Sequence, residues 1–227
     1  MLNTFIFIVL PYVALALLVC VSLYRFFTNR LAWSAYSTQF LEPKILFWGI
    51  NPWHYGIILV LLAHLSGIVA PGFMKRLLGN QNNLILLESL ELGLGFLAFF
   101  GLLALLLRRI NSPMLKQVTS VGDWLLLCLL TVQTATGIYI ALFMRWGSQW
   151  YLHTAVPYFY SLLTLNPQIE YVTDLSPIVK LHAAGAFLIV AVLPFTKLIH
   201  LLYQPFTFLW DPPLLYRWHS TSGEKQG

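Results

Sequence analysis

The sequence predicts an all-α integral membrane protein, a bundle of five transmembrane helices with its N-terminus outside and its C-terminus cytoplasmic. Three observations carry that prediction. Of 227 residues, 59% are apolar and only 9% are Asp, Glu, Lys or Arg, whereas a soluble domain carries about 25% charged residues. Mean hydropathy is +0.75, so the apolar excess requires lipid as its solvent. The few charges also fall mainly between long apolar runs rather than within them. A soluble enzyme, a nucleic-acid binder and a disordered chain are excluded as readings of the whole chain. The net charge of +5 comes from 13 scattered cations that form no basic run.

Residues 1–204 contain all five spans, each long enough to cross a hydrocarbon core of about 30 Å as a helix. The first, about 3–25, carries no charge before Arg25. It lacks the basic start and small-residue cleavage site of a secretory signal, and its apolar stretch is too long for one. The others are expected at about 48–72, 84–107, 122–145 and 178–203. Pro11 and Pro194 fall inside spans and are expected to kink them, which membrane helices tolerate where neighbours satisfy the freed carbonyls. The longest connection, 146–177, is aromatic and Pro-containing and is expected to fold over the outer surface. The tail, 205–227, is rich in Pro and Trp and reads as a cytoplasmic segment that lies against another surface.

Orientation follows from the cations, because cytoplasmic loops retain Lys and Arg. With the N-terminus outside, Arg25, Arg30, Lys44, Arg108, Arg109, Lys116, Lys197, Arg217 and Lys225 are cytoplasmic, while Lys75, Arg76, Arg145 and Lys180 are not. Trp33, Trp48, Trp53, Trp124 and Trp210 then mark the inner boundary and Trp146 and Trp150 the outer one, as an interfacial belt requires. Cys20 and Cys128 lie in apolar runs, form no disulfide framework and are expected to be small buried side chains.

Four of six histidines lie in only two spans: His54 and His64 in the second, His182 and His200 in the fifth. An ionisable residue at membrane depth is costly and marks a function by default. One such histidine reads equally well as an interhelical hydrogen bond; two on each of two helices do not. Neutral imidazole ligates iron, and histidines facing each other across a helix pair can hold a haem axially from both sides. Antiparallel spans pair His54 with His200 at the inner level and His64 with His182 at the outer. The ligand spacings of 10 and 18 residues correspond to rises of about 15 Å and about 27 Å in continuous helices. Helix tilt, haem tilt and the Pro194 kink are expected to absorb the mismatch.

Gly56, Gly67 and Gly185 follow three of these histidines closely, where they would give room to a macrocycle or to a packed helix. Arg108, Arg109, Lys180 and Lys197 are candidates to pair with haem propionates. There is no Cys-x-x-Cys-His site for covalent attachment, so the expected cofactors are two haem b groups. No phosphate loop, nucleophile motif or cysteine cluster competes. His153 and His219 lack a spacing partner and read as surface residues.

The run from His54-x-Gly-Ile to His64-x-x-Gly, the segment Lys180-Leu-His182, and Pro194-Phe-Thr-Lys-Leu-Ile-His200 resemble the gamma subunit of membrane-bound respiratory nitrate reductase. The first loop, residues 33–42, the Arg108–Pro113 turn and the Asp123-led fourth span with Gln133 and Gly137 fit the same pattern. The resemblance covers roughly residues 5–205. It implies a five-helix dihaem cytochrome b that oxidises menaquinol or ubiquinol near the outer face of a prokaryotic cytoplasmic membrane. Electrons would pass through the outer and then the inner haem to an iron–sulfur beta subunit, and from there to a molybdenum-containing alpha subunit that reduces nitrate. The tail would dock those soluble subunits. Protons released outside while electrons move inward would build membrane potential without pumping.

Glu88 and Glu91 share a face at the outer start of the third span, and Glu88 is the candidate acceptor of a quinol proton, since a carboxylate in a partly apolar site can be raised toward neutrality. Solvated carboxylates at a helix N-terminus are the plainer reading. Two other functions use the same features. A related dihaem cytochrome could serve a sulfite- or heterodisulfide-linked module, and a transporter could use the histidines as a proton relay.

Overall fold

The computed structural model describes residues 1–28, 44–144 and 146–201. Its helices, in chain order, are α1 (Leu2–Thr28), α2 (Lys44–Val69), α3 (Pro71–Leu78), α4 (Gln81–Asn111), α5 (Pro113–Val118), α6 (Val121–Phe143), α7 (Gly147–Trp150), α8 (Val156–Leu163), α9 (Glu170–Thr173) and α10 (Pro177–Val192). Among the described residues there is no strand, and five helices are long and apolar enough to cross a membrane: α1, α2, α4, α6 and α10 with its continuation to Phe195. The first-loop run 33–42, Arg145, His219 and the tail 205–227 lie outside the described residues.

Local chemistry sets the boundaries. Val69 closes α2 earlier than expected because Ala70 precedes Pro71, whose ring disfavours helical backbone before it, and Pro71 opens α3 instead. Asn80 accepts from the backbone N–H groups of Asn82 and Asn83, so α4 starts at Gln81 rather than about 84. Ser120 and Asp123 form a reciprocal capping box at the start of α6, satisfying two donors that have no intrahelical partner. The largest departure is in the fifth span. The regular helix stops at Val192, and two tight turns, Leu193–Phe195 and Lys197–Ile199, flank an extended Thr196. Pro194 cannot donate to the helical ladder, and it ends the helix rather than bending it. His200 therefore lies beyond the break, and neither the 27 Å rise nor the shared-face argument for a continuous helix applies to it.

Pro11 acts differently, since α1 continues through it. The ring removes the hydrogen bond that would reach the carbonyl four residues earlier, and the backbone widens over Phe5–Val9. Phe7 supplies that carbonyl, and the buried Tyr158 hydroxyl from the 146–177 connection donates to it at 2.8 Å. The Phe7 and Tyr158 rings also meet edge to face at 5.6 Å.

The spans pack in the order α1, α10, α6, α4, α2. The closest seam joins α2 and α4, where glycine is required: a Cβ on Gly101 would lie 2.3 Å from the Trp53 nitrogen, and one on Gly56 would lie 2.6 Å from the Ala98 nitrogen. Gly56 thus serves helix contact rather than macrocycle clearance. Trp53 is buried in this seam with Ala98, Leu102 and Leu127 rather than standing at an interface. Outward faces carry large apolar side chains such as Val19, Leu61, Leu62, Phe100 and Leu125. Only 17% to 22% of each most apolar stretch is buried within the bundle, so lipid contact, with close packing between helices, is what the sequence is built for. Cys20 and Cys128 are exposed on these outer faces, contrary to the expectation of burial, because each lies on a lipid-directed side of its helix.

The 146–177 connection is helical and covers one end of the bundle, here called the loop end. Tyr160 caps the Ile68 carbonyl in the last turn of α2 at 2.6 Å, Gln149 caps the Leu78 carbonyl of α3 at 2.7 Å, and Tyr12 of α1 donates to Leu162 at 3.1 Å. Replacing Tyr158 by Phe removes the donor that satisfies Phe7. The Tyr158→Phe variant is expected to lose about 1–3 kcal/mol of stability, read as a lower thermal midpoint in detergent; an unchanged midpoint would show that the Phe7 carbonyl needs no partner.

Candidate functional site

The two histidine-bearing spans, α2 and α10, are not among the closely packed helix pairs. At the end opposite the loop, His54 and His200 stand with ring centroids 6.2 Å apart and planes at 54°. A metal ion between two imidazole nitrogens, each at about 2.0–2.1 Å, places the ring centres roughly 6–6.5 Å apart. His54 Nδ1 lies 2.9 Å from the Ile50 carbonyl and His200 Nδ1 lies 2.7 Å from the Lys197 carbonyl. A carbonyl only accepts, so each Nδ1 carries the hydrogen and each Nε2 keeps its lone pair. With Nδ1 tied and Nε2 free, His54 and His200 are the residues that would hold an iron at this end.

His200 reaches this position although it is off the helix, because its turn is anchored to α6. Lys197 Nζ pairs with Asp123 Oδ2 at 2.8 Å, and Asp123 is itself buried and part of the α6 capping box. Thr196 Oγ1 caps the turn by accepting from the Leu198 nitrogen. Arg108, buried near the end of α4, and Arg109, half-buried, lie at the same end of the bundle. This is called the charged end.

Toward the loop end, His64 and His182 are not brought together in the same way. His64 is exposed on α2, its Nδ1 2.8 Å from the Val60 carbonyl and its ring edge-on to Tyr151 at 5.4 Å. Tyr151 also donates to the His64 carbonyl at 3.0 Å. Burial, with the Glu91 carboxylate adding to it, pushes the Tyr151 phenol up to about 12, so it remains a donor throughout the physiological range. His182 is held by α6, its Nδ1 3.0 Å from Thr136 Oγ1 and its Nε2 3.2 Å from Gln133 Nε2. The outer donors have the right chemistry, but Gln133 occupies the nitrogen that a metal would take. Gly185 makes room for that glutamine, since a Cβ there would lie 2.4 Å from Gln133 Oε1, and Gly67 accommodates Tyr151.

The remaining predicted residues have partners within the chain. Lys180 Nζ donates to Asn3 Oδ1 at 3.2 Å and to the Thr173 carbonyl at 2.5 Å, tying α10 to the first turn of α1 and to α9. Glu88 Oε1 accepts from the Ser148 backbone nitrogen at 3.1 Å and so fixes α7 over the loop end. His153 is exposed, as expected. Sequence reasoning missed Thr136, Gln133 and Tyr151 as neighbours of the outer histidines. The signal available for the first two was their spacing, since Gln133, Thr136 and Gly137 share one face of α6.

Fold and site together define a multi-pass helical membrane protein in which two imidazoles, those of His54 and His200, stand close together at one end of the bundle. Comparison with known proteins then places the chain: it belongs to the nitrate reductase gamma subunit family, whose model matches residues 3–219. The nitrate reductase gamma chain of Bacillus subtilis is 27% identical over 213 residues, covering 92% of this chain and 95% of that one. Respiratory nitrate reductase 1 gamma chain of Escherichia coli is 28% identical over 213 residues, covering 92% and 94%. The nitrate reductase-like protein NarX of Mycobacterium tuberculosis is 23% identical over 222 residues, which are 96% of this chain but 34% of that one. The chain is thus a membrane subunit of an oxidoreductase complex of the nitrate reductase type.

Lys197→Met leaves the Asp123 carboxylate buried without its cation. Because Lys197 is 41% exposed, the expected loss of stability is modest, about 1–2 kcal/mol. Thermal denaturation of the purified protein reads it, and a midpoint equal to that of the parent chain would mean that the pair does not anchor the turn.

Proposed function

We propose that this chain is the dihaem cytochrome b subunit of a nitrate reductase, in the cytoplasmic membrane of a prokaryote with the N-terminus outside. In this reading it oxidises menaquinol or ubiquinol near the loop end. It delivers electrons at the charged end to an iron–sulfur beta subunit and a molybdenum-containing alpha subunit. The observation that carries the reading is the common state of the four imidazoles. Each has Nδ1 within hydrogen-bond distance of an oxygen of the chain, which orients the ring and leaves Nε2 as the ligating atom. His54 and His200 would hold the inner group, and His64 and His182 the outer.

Bound there, haem b supplies reversible one-electron transfer, which the side chains alone do not provide. Arg108 and Arg109 are the propionate candidates at the charged end. Lys197 and Lys180 would serve only by sharing or leaving Asp123 and Asn3, respectively. Family membership favours nitrate reduction over a sulfite- or heterodisulfide-linked partner. At the loop end Glu88 would accept a quinol proton, with one carboxylate oxygen already held by Ser148.

A reduced-minus-oxidised optical spectrum of the complex tests the reading. Two b-type haems per chain are expected, the outer one lost in His64→Ala or His182→Ala and the inner one in His54→Ala or His200→Ala. Absence of haem absorption overturns it, and a histidine relay would then account for the residues. Glu88→Gln is expected to slow quinol oxidation about 10²-fold while leaving that spectrum intact; an unchanged rate removes Glu88 from the mechanism.

A further inference from the structure

The separation of His54 and His200 is not set by the two spans themselves, because α2 and α10 are not closely packed against each other. His54 is fixed through α2, which rests on α4, whereas His200 lies beyond the end of α10, on the second of two tight turns. Whatever fixes those turns therefore fixes the second imidazole. Two helices flank α10 in the bundle, α6 and α1. Asp123 of α6 reaches the second turn through Lys197, and α1 supplies a separate attachment.

Pro194 ends the helix, and its own carbonyl lacks the amide that a continuing helix would bring to it. That amide belongs to Leu198, which turns instead to Thr196 Oγ1. A carbonyl within a span needs a donor from the protein. Arg25, in the last turn of α1, provides one: its Nη1 donates to the Pro194 oxygen. A guanidinium suits this place for two reasons. A hydrogen bond from an ionised donor is roughly twice as strong as one between neutral groups, and a cation is favoured beside the carbonyls that end a helix. Apolar packing repeats the attachment, since the buried Leu193 and Ile199 rest on Leu18 and Phe26 of α1. Leu193 belongs to the first turn and Ile199 to the second, so α1 grips both.

We propose that Arg25 is a positioning residue for the iron site at the charged end: by holding the Pro194 carbonyl, it sets where the following turn presents His200 Nε2 to His54. This rests on the dihaem reading given above. The His200 ring is tied to that turn through Nδ1 and the Lys197 carbonyl, so a displaced turn is a displaced ligating nitrogen. Lys197 supports the ligand through Asp123, whereas Arg25 supports it through the backbone. A cation that the sequence offers only as a sign of orientation thus helps to fix a ligand carried by the last span.

The test is a redox titration of the complex in membranes, followed optically and by the low-spin ferric resonance signals, for the parent chain, Arg25→Met, Arg25→Gln and Arg25→Lys. Losing the support of a metal ligand costs about 10–100-fold in metal affinity. Arg25→Met is therefore expected to lose the haem at the charged end, or to shift its resonance and potential, while the haem at the loop end is unchanged. Arg25→Gln, a shorter and neutral donor, is expected to fall between, and Arg25→Lys to restore the parent signal. If Arg25→Met does not accumulate, the other two variants decide: displacement in Arg25→Gln that is reversed in Arg25→Lys supports the role. Parent values for both haems in Arg25→Met, or in Arg25→Gln where Arg25→Met does not accumulate, overturn it. Equal loss of both haems also overturns it, since a general loss of the bundle is not positioning. If His200→Ala retains both haems, the ligand assignment itself fails, which is a separate result from failure of the Arg25 role.

Discussion

Everything in this bundle answers to one constraint: inside lipid, a polar atom must find its partner within the protein. His54, His64 and His200 obey it by giving their Nδ1 hydrogens to backbone carbonyls of the chain. That choice has a second effect, because a ring with one nitrogen tied has its other nitrogen aimed. The same requirement that makes a histidine tolerable at membrane depth therefore fixes the direction of its free nitrogen. Tyr158 obeys it at Phe7, where Pro11 frees a carbonyl that water cannot reach. Tyr160 and Gln149 obey it at the ends of α2 and α3.

Much of the architecture was legible because lipid imposes a coarse code. The near absence of charge over each span reveals its existence, and the structure has all five. The positions of Cys20, Cys128 and Trp53 were not legible, since composition says that a residue is in the membrane but not which way it faces. Uniformly apolar spans carry little periodic signal: when lipid and core are equally apolar, nothing in the pattern separates them. Trp53 turned inward because Gly101 lets α4 approach its backbone, a contact between residues far apart in sequence.

The placement of the histidines was only half legible. His54 and His200 stand opposite each other, although the helix expected to carry His200 ends at Val192. The expectation that Pro194 would kink the span was right about the cause and wrong about the extent, because the chain unwinds there and Asp123 takes over its support through Lys197. Toward the loop end the supports of His182 come from α6 and the neighbour of His64 from the 146–177 connection. Both lie across chain crossings that a spacing argument on one helix cannot see. Thr136 looks like an ordinary polar residue in a span until α10 is laid against it, and Gln133 stood out only through the family resemblance.

His54 and His64 belong to the second span and their counterparts to the last. The two levels are therefore joined only by the ends of a long stretch of chain, and neither pairing exists while α10 is still to be placed. During synthesis, α1 through α6 enter the membrane with two imidazoles that have no opposite number. The connection that reaches back to Phe7, His64 and Glu88 precedes the final span in the chain. A chain cut short anywhere before Pro177 would keep four of its five spans and lack the His54–His200 contact.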